Sequence, residues 1–234
     1  MMINKNIVGN LDLSYSKVTV LPKGLEVEGN LYLEGSKVIV LPKGLKVGGN
    51  LYLEGSKVTV LPKGLKVGGI LYLRVSEVAV LPEGLEVGGN LDLRGSKVTT
   101  LPEGFKVGGD LYLTYSKVTT LPEGFKVGGD LYLTYSKVTT LPEGFKVGGN
   151  VVLDKTNMSL ISQIAGRYRI CRLCWHSLTV SKNKLKIGCK TKTLLQWTRW
   201  FEGDEEFDTP RGTEAFEKIE WAFNTVKNLL EEKG

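Results

Sequence analysis

The side chains best suited to bind a metal ion lie in the last third of this 234-residue chain. Cys171, Cys174 and His176 fall within six residues, and Cys189 follows on the same stretch. Thiolates and imidazoles are the usual ligands of structural zinc, but such sites present two short ligand pairs separated by a longer loop. Here the second half offers Cys189 alone. We therefore expect reduced, partly buried thiols and no bound metal, with a zinc site as the alternative.

His176 is the only histidine of the chain, which limits the catalysis that the sequence could support. The sequence offers no convincing nucleophile, base and orienting group, no Gly-x4-Gly-Lys-Ser/Thr loop, and no repeat position with paired acids. We expect a protein that is not an enzyme and uses no cofactor. A small zinc-dependent enzyme in the tail is kept as a third hypothesis, after the two binding functions given below.

An internal repeat must position any functional side chain in the rest of the molecule. Glycine makes up 29 of 234 residues, and it recurs in units of 20 residues that run from Gly9 to about Ile161. Seven full units, each with Leu-x-Leu, Ser-x-Val and Leu-Pro, precede an eighth, degraded one. Residues 110–129 and 130–149 are identical, which indicates a recent duplication.

Apolar residues alternate along each unit, as between Leu45 and Leu53, and this pattern is typical of strands. Each Pro-x-Gly, such as Pro62 to Gly64, predicts a chain reversal in a type I turn with proline second and glycine fourth. One unit buries too little apolar surface to offset the entropy lost on ordering it, so the units must stack as a solenoid. Tight packing or a positive φ would explain the row of invariant glycines. That row is Gly9, Gly29, Gly49, Gly69, Gly89, Gly109, Gly129 and Gly149.

The segment from Leu51 to Pro62 reads Leu-x-Leu-x-x-Ser-x-Val-x-x-Leu-Pro and resembles the short bacterial leucine-rich repeats with a Leu-Pro ending. Serine stands where that family has an asparagine ladder, and an additional Gly-Leu-x-Val-x-Gly segment could form a second parallel strand. The resemblance implies a mainly β, leucine-rich-repeat-like solenoid of seven to eight parallel rungs, with a closed parallel β-solenoid as the alternative. The whole chain also resembles a group of phage and bacterial proteins whose tail carries Ile-Gly-Cys-x3-Thr-x3-Trp, here Ile187 to Trp197, and that resemblance implies no particular activity.

A row of tyrosines lies between the two inward leucines of each unit and is expected to face outward. In leucine-rich-repeat proteins this row belongs to the concave face, where partners usually bind. An aromatic stripe with polar flanks is typical of a recognition surface, so we predict a protein-binding module. The alternative is that tyrosine serves only as a good strand former that stacks on its neighbours. The predicted binding residues are Tyr32, Tyr52, Tyr72, Tyr112 and Tyr132, in a row that also holds Asp12 and Asp92.

Basic residues suggest nucleic acid as a second class of partner. Nine basic and no acidic residues lie between Arg167 and Arg199, and a row of lysines from Lys17 to Lys137, broken by Glu77, follows the repeats. Against this, residues 1–150 hold 17 basic and 14 acidic residues, a net charge of only +3. We expect the lysine row to be a solvated face and keep nucleic-acid binding as the alternative function.

The repeat decays near residue 160, which divides the chain into a solenoid, residues 1–160, and a small α+β domain, residues 161–234. We predict strands in this domain, including a hairpin that turns between Ser181 and Lys184, a helix capped by Thr193 and Gln196, and a last helix beginning near Thr213. It would cover the open end of the solenoid. The lack of a signal peptide or apolar span, with an odd cysteine count, favours the cytoplasm and no membrane partner. The oligomeric state is not readable from the sequence.

Overall fold

The chain forms a parallel β-solenoid of 20-residue coils, followed by a small region with three antiparallel strands and a helix. The computed structural model describes residues 3–153, 160, 169–171, 178–181, 184–187, 190–202, 213, 216–217, 220, 223–224 and 227. Side chains between residues 161 and 192 lie outside this description. None of the helices within these ranges is long and apolar enough to cross a membrane.

Each coil contributes one short strand to each of two parallel sheets, which confirms the second strand that the additional Gly-Leu-x-Val-x-Gly segment suggested. Sheet A consists of β1 (Asn6–Ile7), β3 (Glu26–Val27), β5 (Lys46–Val47), β7 (Lys66–Val67), β9 (Glu86–Val87), β11 (Lys106–Val107), β13 (Lys126–Val127) and β15 (Lys146–Val147). Sheet B consists of β2 (Leu11–Asp12), β4 (Leu31–Tyr32), β6 (Leu51–Tyr52), β8 (Leu71–Tyr72), β10 (Leu91–Asp92), β12 (Leu111–Tyr112), β14 (Leu131–Tyr132), β16 (Asn150–Val152) and β17 (Arg169–Cys171).

The strands pair with a register of one repeat, so the same repeat position recurs in a straight row along the solenoid. Leu51 pairs with Leu31 and Leu71, and Val47 pairs with Val67. The third side of the coil, between the Ser-x-Val and Leu-Pro segments, carries few backbone hydrogen bonds between coils. One of them runs from the Thr59 N–H to the Ile39 carbonyl at 3.3 Å. Six apolar side chains of each coil fill the interior. In one coil these are Leu51, Leu53, Val58, Leu61, Leu65 and Val67, all at most 3% exposed.

A bend that is Gly-Gly from Gly48 onward joins the two strands of a coil, and its second glycine is required by tight packing. A Cβ atom on Gly49 would lie 2.3 Å from the Asn30 Oδ1 and 2.8 Å from the Gly29 carbonyl carbon of the preceding coil. Of the predicted glycine row, Gly9 alone has a positive φ. Tight packing, and not a positive φ, therefore explains the rest of the row.

The turn after each Leu-Pro differs by one residue from the predicted type I turn. The Leu25 N–H donates to the Pro22 carbonyl at 3.2 Å, and Gly24 has φ 66°. Lys23 and Gly24 therefore occupy the centre of the turn, with proline first and glycine third. A positive φ at the third residue alone is the pattern of a type II turn, which needs glycine there.

The repeated serine is buried but builds no ladder of the kind that the resembled family forms with asparagine. The Ser36 backbone N–H donates to the Leu33 carbonyl at 3.1 Å, and the side chain points into the core. The hydroxyls of Ser36, Ser76, Ser96 and Ser116 are buried and have no hydrogen-bond partner within the described part of the chain.

Beyond the coils, β17 extends sheet B by pairing with β16 in parallel. Strands β18 (Leu178–Ser181), β19 (Lys184–Ile187) and β20 (Lys190–Lys192) form an antiparallel sheet, and Ser181 pairs with Lys184 as predicted for the hairpin.

The helix α1 (Leu194–Glu202) begins with the predicted capping box. The Thr193 N–H donates to the Gln196 Oε1 at 2.8 Å, and the Gln196 N–H donates to the Thr193 Oγ1 at 3.2 Å. Its partly buried Phe201 packs against the buried Trp197 of the same helix and against Phe216 and Phe223, which both adopt helical conformation. Most of the predicted last helix lies outside the described residues, and so do the residues on both sides of residue 160, so the boundary there stays a prediction.

Candidate binding surface

The five predicted binding tyrosines, Tyr32, Tyr52, Tyr72, Tyr112 and Tyr132, lie partly exposed on the outer face of sheet B, and we call them the tyrosine ladder. Parallel strands lie about 4.8 Å apart, so rings on equivalent residues meet face to face. The ring centroids of Tyr32 and Tyr52 are 4.6 Å apart, and those of Tyr52 and Tyr72 are 4.5 Å apart, with 11° between the planes in both pairs. Tyr112 and Tyr132 stack at 4.5 Å.

Asp92 takes the place of a tyrosine at the one interruption inside the tyrosine ladder, and Arg94 lies beside it. The Asp92 carboxylate is only 2% exposed and accepts the Arg94 Nε–H at 2.9 and 3.0 Å to its two oxygens. Arg94 in turn places its guanidinium 5.2 Å from the centre of the Tyr112 ring. The Asp92 hydrogen bond raises the pKa of Arg94 above its ordinary value. A held guanidinium over an aromatic face gives a cation–π contact, so a cation covers the Tyr112 ring on the side of the interruption.

A ladder of asparagines and aspartates lies beside the tyrosines, at the corner between the two sheets. The side-chain Oδ1 of each accepts the backbone N–H of the equivalent residue one coil later, as from Asn30 to Asn10 at 2.8 Å and from Asp130 to Asp110 at 2.8 Å. Ile70 interrupts this corner ladder because it has no side-chain acceptor. Its members are Asn10, Asn30, Asn50, Asn90, Asp110 and Asp130, and the last bonds reach Ile70 and Asn150.

The corner ladder also determines the hydrogen bonds of the tyrosine hydroxyls. The Asn30 Nδ2 donates to the Tyr32 hydroxyl at 2.9 Å, and Asn50 donates to Tyr52 at 3.1 Å. In the later coils the Tyr112 hydroxyl donates to the Asp110 carboxylate at 3.0 Å. The hydroxyls therefore accept hydrogen bonds in the first coils and donate them in the later ones.

Burial and the neighbouring carboxylates keep the later tyrosines protonated. Burial raises the pKa of Tyr112 to about 12, with help from the hydrogen bond to Asp110. The pKa of Tyr132 is raised first by burial and then by the charge of Asp130. Burial also raises the pKa of Tyr72, which lies beside Ile70 and stacks on Tyr52. These phenols act as neutral hydrogen-bonding groups at ordinary pH and not as bases.

Three other tyrosines occupy backbone positions that favour glycine. Gly35, Gly55 and Gly95 have φ between 58° and 61°, and the equivalent residues Tyr15, Val75, Tyr115 and Tyr135 have φ between 51° and 56°. A residue with a Cβ adopts this conformation at a cost. Tyr115 and Tyr135 are 64% and 46% exposed and stack at 5.0 Å with 4° between their planes. We call these two residues the exposed tyrosine pair.

Charged and polar residues flank the tyrosine ladder on the side away from the corner. The Ser14 hydroxyl donates to the Glu34 carboxylate at 3.0 Å, and the Arg74 Nε lies 4.0 Å from the Glu54 Oε1. Thr114 and Thr134 take this position beside the exposed tyrosine pair. The predicted combination of aromatic stripe and polar flank is thus present on one face of sheet B.

The other predicted sites are the lysine row, the cysteines with His176, and the basic stretch. The lysine row is exposed as expected, and its Lys97 forms an ion pair with Glu77. Cys174, His176 and Cys189 lie outside the described residues, and so do the side chains of the basic stretch between Arg167 and Lys192. Within the described residues, no cluster of three metal-binding side chains occurs.

The sequence pattern alone did not reveal the corner ladder or the strain at the exposed tyrosines. Both had a signal: an asparagine or aspartate directly after most Gly-Gly pairs, and a position two residues after the second leucine where some coils have glycine and others tyrosine or valine. The chain matches no family profile, no curated protein and no solved structure.

Proposed function

We propose that this protein is a non-enzymatic interaction module that binds a protein partner through the outer face of sheet B. The tyrosine ladder and the exposed tyrosine pair would supply the contact residues. The observation that carries the proposal is that Tyr115 and Tyr135 keep large, exposed rings at backbone positions where glycine would be unstrained. Strain of this kind persists most often at functional sites.

The stacking also indicates how a partner would be contacted. Because the rings of the tyrosine ladder cover one another's faces, a partner would meet their edges and their hydroxyls. Aromatic edges carry partial positive charge, and the hydroxyls present both donors and acceptors. A rigid array of this kind loses little side-chain entropy on binding, which favours affinity.

The proposal is tested by removing the exposed rings without disturbing the coils. Partners of the full chain are isolated from a bacterial lysate, identified, purified and titrated against the parent, the Tyr115→Gly/Tyr135→Gly variant and the Val75→Gly variant. The tyrosine variant should bind at least about tenfold more weakly, because aromatic anchors dominate most interfaces. Val75→Gly relieves the same backbone strain elsewhere and should bind as the parent does.

A second variant tests the tyrosine ladder itself. Tyr52→Ala, Tyr72→Ala and Tyr112→Ala are combined, and circular dichroism with urea unfolding establishes that the coils remain folded. If a partner binds both this variant and the exposed-pair variant as tightly as the parent, the assignment of the binding face is wrong.

Nucleic-acid binding through the basic stretch between Arg167 and Arg199 is the alternative, and it rests on charge alone. Such binding should weaken steeply as salt rises, whereas binding through aromatic edges should change little. A titration with single- and double-stranded DNA at several salt concentrations separates the two hypotheses. The odd number of cysteines supports a reducing compartment, so we place the proposed function in the cytoplasm.

A further inference from the structure

A second surface follows the Pro-x-Gly turns on another side of the coil. The central residue of each turn is exposed, and these residues form a straight row because the turns stack in register. The Gly24 N–H donates to the Lys43 carbonyl at 2.9 Å, and the Gly64 N–H donates to the Glu83 carbonyl at 3.1 Å. We call this the turn row: Lys23, Lys43, Lys63, Glu83, Glu103, Glu123 and Glu143.

An exposed apolar row precedes the turn row by three residues in each coil. Its side chains are valines in the first four coils, between 58% and 77% exposed, and threonines in the last three. Ile39, at 55% exposure, adds to the apolar part. Nothing within the described residues covers this apolar row. A row of exposed β-branched residues is unusual for a surface that meets only water. We call it the valine row: Val20, Val40, Val60, Val80, Thr100, Thr120 and Thr140.

The order of charges along the turn row makes it complementary to a second copy of the same row that runs in the opposite direction. Three lysines come first and glutamates follow, with the change of sign between Lys63 and Glu83. Reversing the row about that point places each lysine opposite a glutamate. A surface that complements itself under a two-fold rotation is what an isologous dimer requires.

We propose that two copies of this chain pair antiparallel along the turn row and the valine row, about a two-fold axis between Lys63 and Glu83. Lys23 then faces Glu123, Lys43 faces Glu103 and Lys63 faces Glu83 of the second copy. The same rotation places Val60 against Val80. Within one chain, the Lys63 Nζ already lies 2.6 Å from the Glu83 Oε2, so the centre of the dimer becomes a ring of four alternating charges.

The size of the surface indicates a weak dimer. Six coils separated by about 4.8 Å give a contact about 24 Å long, and it is only one or two side chains wide. Interfaces of this size belong to transient complexes. The lysine row beside it adds attraction where Lys57 faces Glu77 and repulsion where Lys37 faces Lys97. Exposed ion pairs are screened by salt, so the dimer should dissociate as ionic strength rises.

Charge exchange between two variants of the full chain tests the proposal. One variant carries Lys23→Glu, Lys43→Glu and Lys63→Glu, and the other carries Glu83→Lys, Glu103→Lys and Glu123→Lys. All six side chains are exposed, so folding should not depend on them. Sedimentation velocity at low salt, over a concentration series up to about 500 µM, covers the weak affinities expected for such a contact. Circular dichroism establishes that both variants are folded.

The parent should show a reversible monomer–dimer equilibrium that salt weakens. Each variant alone should associate at least about tenfold more weakly, because three like-charged pairs replace three attractive ones on each side of the axis. An equimolar mixture of the two variants should regain dimerisation. A monomeric parent at the highest concentration, variants that dimerise as the parent does, or a mixture that stays monomeric would each overturn the proposal.

The apolar contribution is measured separately. Val40→Thr, Val60→Thr and Val80→Thr together reproduce the residues that later coils already carry at the same position, so the coils should remain folded. The association constant should fall several-fold with the salt dependence unchanged. An unchanged association constant would show that the valine row is not part of the contact and would overturn that half of the proposal.

Discussion

The guanidinium of Arg94 lies 5.2 Å from the centre of the Tyr112 ring and is held there by the buried carboxylate of Asp92. The pair fills the place of one tyrosine in the stack on sheet B. Asp92 cannot lose this partner without leaving a buried negative charge, and Tyr112 cannot lose it without exposing a ring face. Relative to the following coil, which has Tyr112 and Thr114, the two differences Tyr to Asp and Thr to Arg therefore compensate each other.

This compensation predicts a strongly non-additive pair of substitutions. Arg94→Thr alone should lower the free energy of unfolding by about 2 kcal/mol, because the Asp92 carboxylate stays buried with one fewer partner. Asp92→Tyr with Arg94→Thr restores the residues found at Tyr112 and Thr114, and the unfolding free energy should return to within about 1 kcal/mol of the parent. Urea unfolding measures both. Equal losses in the single and the double variant would mean that Arg94 does not replace a ring.

The backbone strain at Val75 predicts a stabilising substitution. Val75→Gly should raise the free energy of unfolding by about 1 kcal/mol, because an exposed, β-branched residue at φ 51° is replaced by one that adopts this conformation freely. Gly95→Val, at the equivalent position in the next coil, should destabilise by a similar amount. Thermal and urea unfolding of the two variants should shift in opposite directions, and shifts of the same sign would contradict the strain.

The corner ladder predicts opposite effects on the free energy of unfolding for substitutions at the same position of two consecutive coils. Asn50→Ala removes the acceptor of the Ile70 N–H, which lies 2.7 Å away, and the donor to the Tyr52 hydroxyl, so it should cost about 1–2 kcal/mol. Ile70→Asn would supply the one missing acceptor, for the Asn90 N–H, and should stabilise by about 1 kcal/mol. Urea unfolding again measures both. A destabilising Ile70→Asn would show that the gap in the ladder is needed for packing.

The raised pKa values of Tyr72, Tyr112 and Tyr132 predict a loss of stability in alkali. A tyrosine with a pKa of 10.0 when unfolded and about 12 when folded, as for Tyr112, favours the folded state while it stays neutral. This contribution is fully present below pH 10 and is lost as the pH rises towards 12. Tyr112→Phe should make the decline of the unfolding free energy between pH 10 and 12 shallower.

The titration itself can be followed by tyrosinate absorbance. In the parent, part of the absorbance change should occur well above pH 10, and Tyr112→Phe should remove one late-titrating group. If all tyrosines of the folded parent titrate near pH 10, the hydroxyl of Tyr112 is not protected by burial and Asp110.

Much of this architecture followed from the 20-residue period, because a parallel register of one repeat turns every position into a row. The alternation around Leu51 and Leu53 predicted the inward side chains, and Thr193 with Gln196 predicted the helix start. The turn was misplaced by one residue because Pro-x-Gly fits two frames, and only the positive φ of Gly24 selects between them. The corner ladder was missed because an asparagine beside a tyrosine suggests a surface residue, whereas its role depends on an N–H of the next coil.

Residues 110–129 and 130–149 have the same sequence and pair in the same register. Each of these two coils therefore presents the same residues to its neighbours as the other. The molecule can therefore gain or lose a whole coil at this point without creating a new seam. The length of the solenoid is then set by the number of copies of this unit in the gene. Each added copy would bring one more tyrosine to the tyrosine ladder and one more glutamate to the acidic end of the turn row.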